Sequence, residues 1–148
     1  MPSGHMLAAL AEAEAAAGRG EVPVGAVIAS AKGEVLARAG NRTRELSDPT
    51  AHAEILAIRA AAAALGSERL IDCDLYVTLE PCPMCAAAIS FARIRRLYFG
   101  AADPKGGAVE NGPRLFNQSV CHHAPEVIGG IEEMRSAALL RAFFSARR

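Results

Sequence analysis

Leu75-Tyr76-Val77-Thr78-Leu79-Glu80-Pro81-Cys82-Pro83-Met84-Cys85 is the stretch that decides the fold. Its first five residues form an apolar run bounded by charge on both sides, which reads as a buried strand. Its last residues open a helix. Pro83 suits the first helical turn, so Cys82 falls near the N-cap and Cys85 in the first turn. Unpaired N–H groups and the positive end of the helix dipole lie there, and both favour thiolate over thiol. Two thiolates three residues apart can grip one zinc ion. The stretch thus places a metal-binding pair at the carboxyl end of a strand.

Working outward, the helix runs from Pro83 to Ala92 and Arg96-Leu97-Tyr98-Phe99 is a further strand. Together they make a β-α-β unit with a parallel, right-handed crossover. Beyond it lies a Gly- and Pro-rich loop from Ala101 to Gly112, and then residues 113–130, which are ambiguous, with Arg114-Leu115-Phe116 a candidate helical turn and Val127-Ile128 a candidate short strand. A last helix spans Ile131 to Ala146, with Met134, Ala138, Leu139 and Phe143 as its stripe. On the N-terminal side, Met6 to Ala17 reads as a helix with the stripe Met6, Leu10, Ala13 and Ala17. Glu21 to Ile28 and Glu34 to Ala39 form a hairpin about Ala31-Lys32-Gly33. Asn41 to Pro49 is a polar connection, and Ala51 to Leu65 a helix stopped by Gly66. The expectation is an α/β protein, one domain over residues 1–148, in three layers: a mixed five-stranded sheet with helices on both faces.

The chain has 148 residues, 51% hydrophobic, with no Trp and a formal net charge of zero. Zero net charge argues against a whole-molecule electrostatic grip on nucleic acid. The charge is uneven, however: residues 1–92 carry 7 basic and 11 acidic side chains, and 93–148 carry 9 and 5. The C-terminal third is therefore +4, enough to make one basic face. Four cysteines do not make a disulfide scaffold, and a reduced compartment suits thiolate ligands. Glu12 and Glu14 interrupt the alanine-rich N-terminus, which is not a signal peptide, and no apolar stretch reaches the ~18 residues needed to span a bilayer. A cytoplasmic, non-membrane protein is expected.

Two cysteines do not complete a zinc site. The other stretch with helix-start character is Asp48-Pro49-Thr50-Ala51-His52-Ala53-Glu54. Asp48 or Thr50 can cap a helix continuing through Ile55, Leu56 and Ile58. That puts His52 in its first turn and Glu54 two residues on, and such residues of a regular helix point to roughly opposite sides. Taken alone, His52 reads as a satisfied helix-start histidine and Glu54 as an acid complementing the dipole. An extended strand rising ~3.3 Å per residue carries Cys73 far from Cys82. Cys121, His122 and His123 remain candidate ligands for a closed structural site, which needs four.

His-x-Glu followed by Pro-Cys-x-x-Cys resembles the signature of the zinc nucleobase deaminases, and the likeness covers nearly the whole chain. Glu21-Val22-Pro23-Val24-Gly25-Ala26, Gly40-Asn41-Arg42, Asp48 to Glu54, Leu75 to Cys85, Gly100, Asp103-Pro104-Lys105-Gly106-Gly107 and the tail Phe143-Phe144-Ser145-Ala146-Arg147-Arg148 are similar to the tRNA-specific adenosine deaminase family. The resemblance implies a cytidine deaminase-like fold and a Zn²⁺ cofactor held by His52, Cys82 and Cys85. Neutral imidazole, two thiolates and Zn²⁺ sum to zero charge and leave a fourth position for water. Glu54 would take a proton from that water and return it to the ring nitrogen and the leaving amine. The implied reaction is hydrolytic deamination of adenosine to inosine at the wobble position of a tRNA anticodon stem-loop, by a homodimer. Asn41 would hydrogen-bond the flipped base, Val24 would pack against it, and the backbone of Ala53 and Cys82 would border the reacting atoms. Residues 108–125 depart from the family pattern.

Other readings stand beside these. Asn41 could cap a turn, and Asp103 and Lys105 could belong to an ordinary turn rather than a substrate loop. Phe143 reads as core. Phe144, Arg147 and Arg148 read either as RNA contacts, stacking on unpaired bases beside phosphate-binding arginines, or as a solvated basic end. A deaminase of free cytidine, deoxycytidylate or guanine would have no use for that tail. A zinc-stabilised RNA-binding module without catalysis would not need a free acid at Glu54.

Overall fold

The computed structural model describes residues 2–147. The elements run α1 (Pro2–Gly18), β1 (Gly25–Ala29), β2 (Val35–Gly40), α2 (Ala53–Leu65), β3 (Asp74–Leu79), α3 (Pro83–Phe91), β4 (Arg96–Ala101), a 3₁₀ turn (Leu115–Asn117), β5 (Glu126–Ile128) and α4 (Glu133–Ser145). The sheet order is β2-β1-β3-β4-β5. β1 is antiparallel to β2 and β3, while β3, β4 and β5 are parallel. This is the mixed five-stranded sheet expected, with α3 as the crossover of its parallel unit.

Alternation along the central strands divides the core. Ala26, Ile28, Leu75, Val77, Leu97 and Phe99 pack with Ala53, Ala57 and Ala61 of α2 and with Ala86 and Ile89 of α3. Val27, Tyr76 and Tyr98 point the other way and pack with Met6 and Ala9 of α1. Both faces of β1 and β3 are thus covered, which is why these strands are almost wholly apolar. Register places Tyr76 beside Tyr98, and their rings stack at 4.5 Å with 3° between planes. The small side chains of α2 let it lie close on β1 and β2.

Two helices differ from the pattern read in the sequence. α1 starts at Pro2, and its inward stripe is Met6, Ala9, Leu10, Ala13 and Ala16, with Ala17 only half-buried. α4 starts at Glu133, after a left-handed Glu132 (φ 57°), and buries Ser136 and Phe143 while Met134 is 84% exposed. The reason lies in β4. A side chain at Gly100 would collide with Ser136 Oγ and meet Thr78 O at 2.6 Å, so α4 lies against bare backbone. Only a small residue fits its inward position, and Met134, two residues from Ser136, is turned to the outside. No helix among the described residues is long and apolar enough to cross a membrane.

The close fit leaves Ser136 Oγ buried without a hydrogen-bond partner among the described residues. An unpaired buried hydroxyl is unfavourable. Ser136→Ala should therefore raise the unfolding free energy, by about 1 kcal/mol, in a urea titration. A loss of stability would mean that the hydroxyl is satisfied.

Candidate metal centre and active-site pocket

His52 and Cys82 are the N-cap residues of α2 and α3. Both are extended (ψ 153° and 172°), and neither side chain caps its own helix. The two side chains meet instead. His52 Nδ1 lies 3.7 Å from Cys82 Sγ and 3.4 Å from Cys85 Sγ, and the three donor atoms all fall within 4.8 Å of one another. A tetrahedral zinc with bonds of ~2.3 Å to sulfur and ~2.0 Å to nitrogen needs sulfur–nitrogen edges of about 3.5 Å. The donor set fits zinc in both chemistry and spacing, and three donors leave one position open. Among the described residues no other His/Cys/Asp/Glu group of this kind exists.

The extended cap also explains how His52 and Glu54 come to one place. His52 lies outside the helix, so the opposition of residues two apart on a helix does not apply. Both line one cavity of about 200 Å³ with Val22, Val24, Asn41, Leu79, Glu80 and Cys82. The cap that His52 does not supply comes from Asn41, whose Oδ1 accepts the Ala53 N–H at 3.1 Å. Asp48 accepts from the N–H and hydroxyl of Thr50 instead (2.9 and 2.7 Å). Because the Ala53 N–H can only donate, the Asn41 amide orientation is fixed.

The acids in this cavity are shifted in opposite directions. Glu54 is 4% exposed, and burial pushes its carboxyl up to about 7. Glu80 is as deeply buried, yet its carboxyl lies below the usual range, because hydrogen bonds from Asp103, Asn111, Val109 and Glu110 outweigh the burial. Titratable groups driven apart in this way mark which one can carry a proton. Without metal the sulfurs divide a proton unequally. The Cys85 S–H and His52 stabilise the Cys82 thiolate, bringing its pKa to about 4, and the same Cys82 contact and burial raise Cys85. The Cys82 thiolate in turn raises His52.

The other residues expected in the site are spread more widely. Val24 lines the cavity, and its carbonyl accepts the Asn41 N–H at 3.1 Å. Asp103 Oδ1 accepts from the N–H of Lys105 and Gly106, and Lys105 is exposed. Phe144 is 49% exposed. Arg147 lies over the Phe143 ring at 3.5 Å and donates to the Phe143 carbonyl. Arg148 lies outside the described residues. The basic surplus is partly consumed by ion pairs, Arg95 with Asp74 and Arg96 with Glu126. Cys121 contacts Ser90, and His123 contacts the Ile94 carbonyl, so neither reaches the metal donors.

Val22, Leu79, Glu80 and Glu21 were not singled out from the sequence. Val22 and Val24 alternate along an extended segment, which was the available signal for Val22. Glu21, 2% exposed, accepts from the backbone of Arg44 and Glu45 and fastens the Asn41–Pro49 loop.

Comparison with known proteins agrees with this geometry. The family described as the cytidine and deoxycytidylate deaminase zinc-binding region matches residues 2–101. A tRNA-specific adenosine deaminase from Agrobacterium fabrum is 66% identical over 95% of this chain and 91% of its own. One from Rickettsia bellii is 46% identical over 97% and 99%. A structure from a study of A-to-I editing by tRNA:A34 deaminases at the wobble position superposes with a TM-score of 0.90 and 65% identity, covering 92% of this chain and 98% of that one.

The proton on Cys85 and the raised His52 give metal binding a definite pH dependence. Zinc must displace the Cys85 proton throughout the neutral range, and that of His52 where it is protonated. The logarithm of apparent zinc affinity, measured by chelator competition, should rise with pH with a slope of roughly one to two. A flat profile would contradict this assignment of protons.

Proposed function

The chain belongs to the cytidine and deoxycytidylate deaminase zinc-binding family, and on that premise we propose that it deaminates adenosine to inosine in tRNA, at the wobble position of the anticodon stem-loop. The observation that carries the reaction is a buried carboxyl poised near neutrality, Glu54, in one cavity with the histidine and cysteine metal donors. The substrate is supported by the identity to tRNA-specific adenosine deaminases along nearly the full length of both chains.

His52 Nδ1, Cys82 Sγ and Cys85 Sγ would hold a zinc, which would supply Lewis acidity toward water. Glu54 would accept one proton from the water and pass it to the ring nitrogen, then carry the second, from the hydroxyl added to the carbon, to the amine that leaves as ammonia. Glu80 cannot share this work, since both its oxygens accept N–H groups. Asn41 holds its Oδ1 on Ala53, leaving Nδ2 to donate to the flipped base. Val24 packs on that base, and Ala53 and Cys82 border it.

Farther out, Asp103 and Lys105 present a loop to the flanking nucleotides. Phe144 stacks on an unpaired base, with Arg147 and Arg148 at the phosphates. We take residues 1–148 as one deaminase domain acting in the cytoplasm as a homodimer. The dimer reading is supported by Phe91 and Val120, 74% and 75% exposed, which with Ala87 and Leu115 line an apolar cavity of about 150 Å³ beside α3. Exposed apolar surface of this kind is characteristic of an interface.

Glu54→Gln should keep the fold and the zinc while lowering the editing rate by ~10²–10⁴-fold, read as inosine formed in an anticodon stem-loop. Activity within a few-fold of the parent would remove Glu54 from the reaction. With free adenosine, cytidine or guanine in place of the stem-loop, little ammonia should be released; efficient turnover of any of them would overturn the tRNA reading. Phe91→Arg should convert the dimer to monomer by light scattering at micromolar concentration, and an unchanged mass would place the interface elsewhere.

A further inference from the structure

We propose that Glu80 is a positioning residue for RNA binding: its carboxylate holds the loop from Ala101 to Gly112 as a preformed wall beside the metal-bearing turn. The proposal rests on the reading of the chain as a tRNA deaminase and adds the element that organises its substrate side.

Glu80 is 2% exposed and lies two residues before Cys82. Its Oε1 accepts the Asp103 N–H at 2.9 Å and Asn111 Nδ2 at 2.7 Å. Its Oε2 accepts the N–H groups of Val109, Glu110 and Asn111 at 3.0, 2.9 and 3.0 Å. Five donors on one carboxylate gather both ends of the loop after β4 has ended at Ala101, whereas Asp103 Oδ1 holds only the local turn at Lys105 and Gly106. The loop wraps so closely that a Cβ on Gly107 would lie 2.6 Å from Glu80 Oε2 and 2.6 Å from the Asp103 carbonyl. Backbone bonds from Glu80 N to Ala101 O (2.8 Å) and from Ala108 N to Pro81 O (2.9 Å) tie the same turn to the loop from both sides.

Glu80 also lines the cavity that contains His52 and Glu54. The loop therefore stands directly behind a wall of the reaction site, with exposed Lys105 and Gly106 on its outer side. A loop organised before RNA arrives binds without an ordering penalty, whereas one organised only part of the time binds more weakly in proportion. Glu80 should accordingly govern how well RNA is held and leave the chemical step alone.

The test uses full-length zinc-loaded protein and an anticodon stem-loop. Glu80→Gln, which keeps the size but loses the charge and one acceptor, should raise KM by about tenfold, with kcat and zinc content within threefold of the parent. Asn111→Ala, which removes one donor to Oε1, should give a smaller rise of the same kind. Gly107→Ala, which leaves Glu80 itself intact, should reproduce the KM effect by displacing the loop. Hydrogen exchange at the amides of residues 103, 109, 110 and 111 should speed up in Glu80→Gln. This last readout is independent of RNA, so it still decides whether Glu80 holds the loop if the parent proves not to edit tRNA. Unchanged exchange overturns the proposal. So does a fall in kcat and zinc content at constant KM, which would make Glu80 a support for the metal turn, and so does failure of Gly107→Ala to raise KM if Glu80→Gln does not fold.

Discussion

Two helices begin at one point, and neither N-cap residue caps its own helix. The N-termini of α2 and α3 bring unsatisfied N–H groups and the positive ends of two dipoles together, with His52 and Cys82 at the junction. Such a convergence is tolerable only around negative charge, and the Cys82 thiolate supplies it. The arrangement depends on the sheet. β1 and β3 lie side by side, and the parallel crossover returns α3 to the same face as α2. The metal donors are therefore set by rigid elements rather than by loops, whereas the residues expected to touch RNA are on loops or at the chain's end.

Those loops are irregular backbone packed beside a cavity, a setting in which every N–H needs an acceptor. The structure answers twice in the same way. Glu21 gathers donors from the Asn41–Pro49 connection, and Glu80 gathers them from the Ala101–Gly112 connection. Each carboxylate has its own loop, and each stands at the start of a segment that lines the cavity: Glu21 before Val22 and Val24, Glu80 before Cys82. Glu54, the one buried carboxylate of the cavity without such a set of backbone donors from a loop, is the one whose burial leaves it near neutrality.

What could be read beforehand follows from how local each signal is. The strand, the Pro83 helix start and the cysteine spacing are all encoded within eleven residues, and the β-α-β unit and the hairpin were legible from local runs and turn residues, whereas the three-residue β5 lies in a stretch, 113–130, whose sequence is ambiguous. His52 and Glu54 were legible only as a pattern, because the N–H that opens α2 is satisfied by Asn41, twelve residues away, and local sequence carries no signal of that partner. The role of Glu80 was hidden for a similar reason. Its partners are mostly backbone N–H groups 23 to 31 residues away, and an N–H carries no side-chain signature. In α4 the apolar spacing misled, since the steric demand comes from a glycine on another element. Ser136 faces inward because Gly100 does, and Met134 follows from that.

The stacked pair Tyr76 and Tyr98 has a use of its own. The chain has no Trp and only these two Tyr, so its ultraviolet aromatic signal above the phenylalanine bands comes from one place. Rings 4.5 Å apart and nearly parallel couple their transitions strongly. That coupling exists only while β3 and β4 hold their register, and β3 leads directly into the metal-bearing turn. The molecule thus carries an intrinsic chiroptical reporter of its central strand pair, on the face of the sheet opposite α2 and α3, which can be followed without any label.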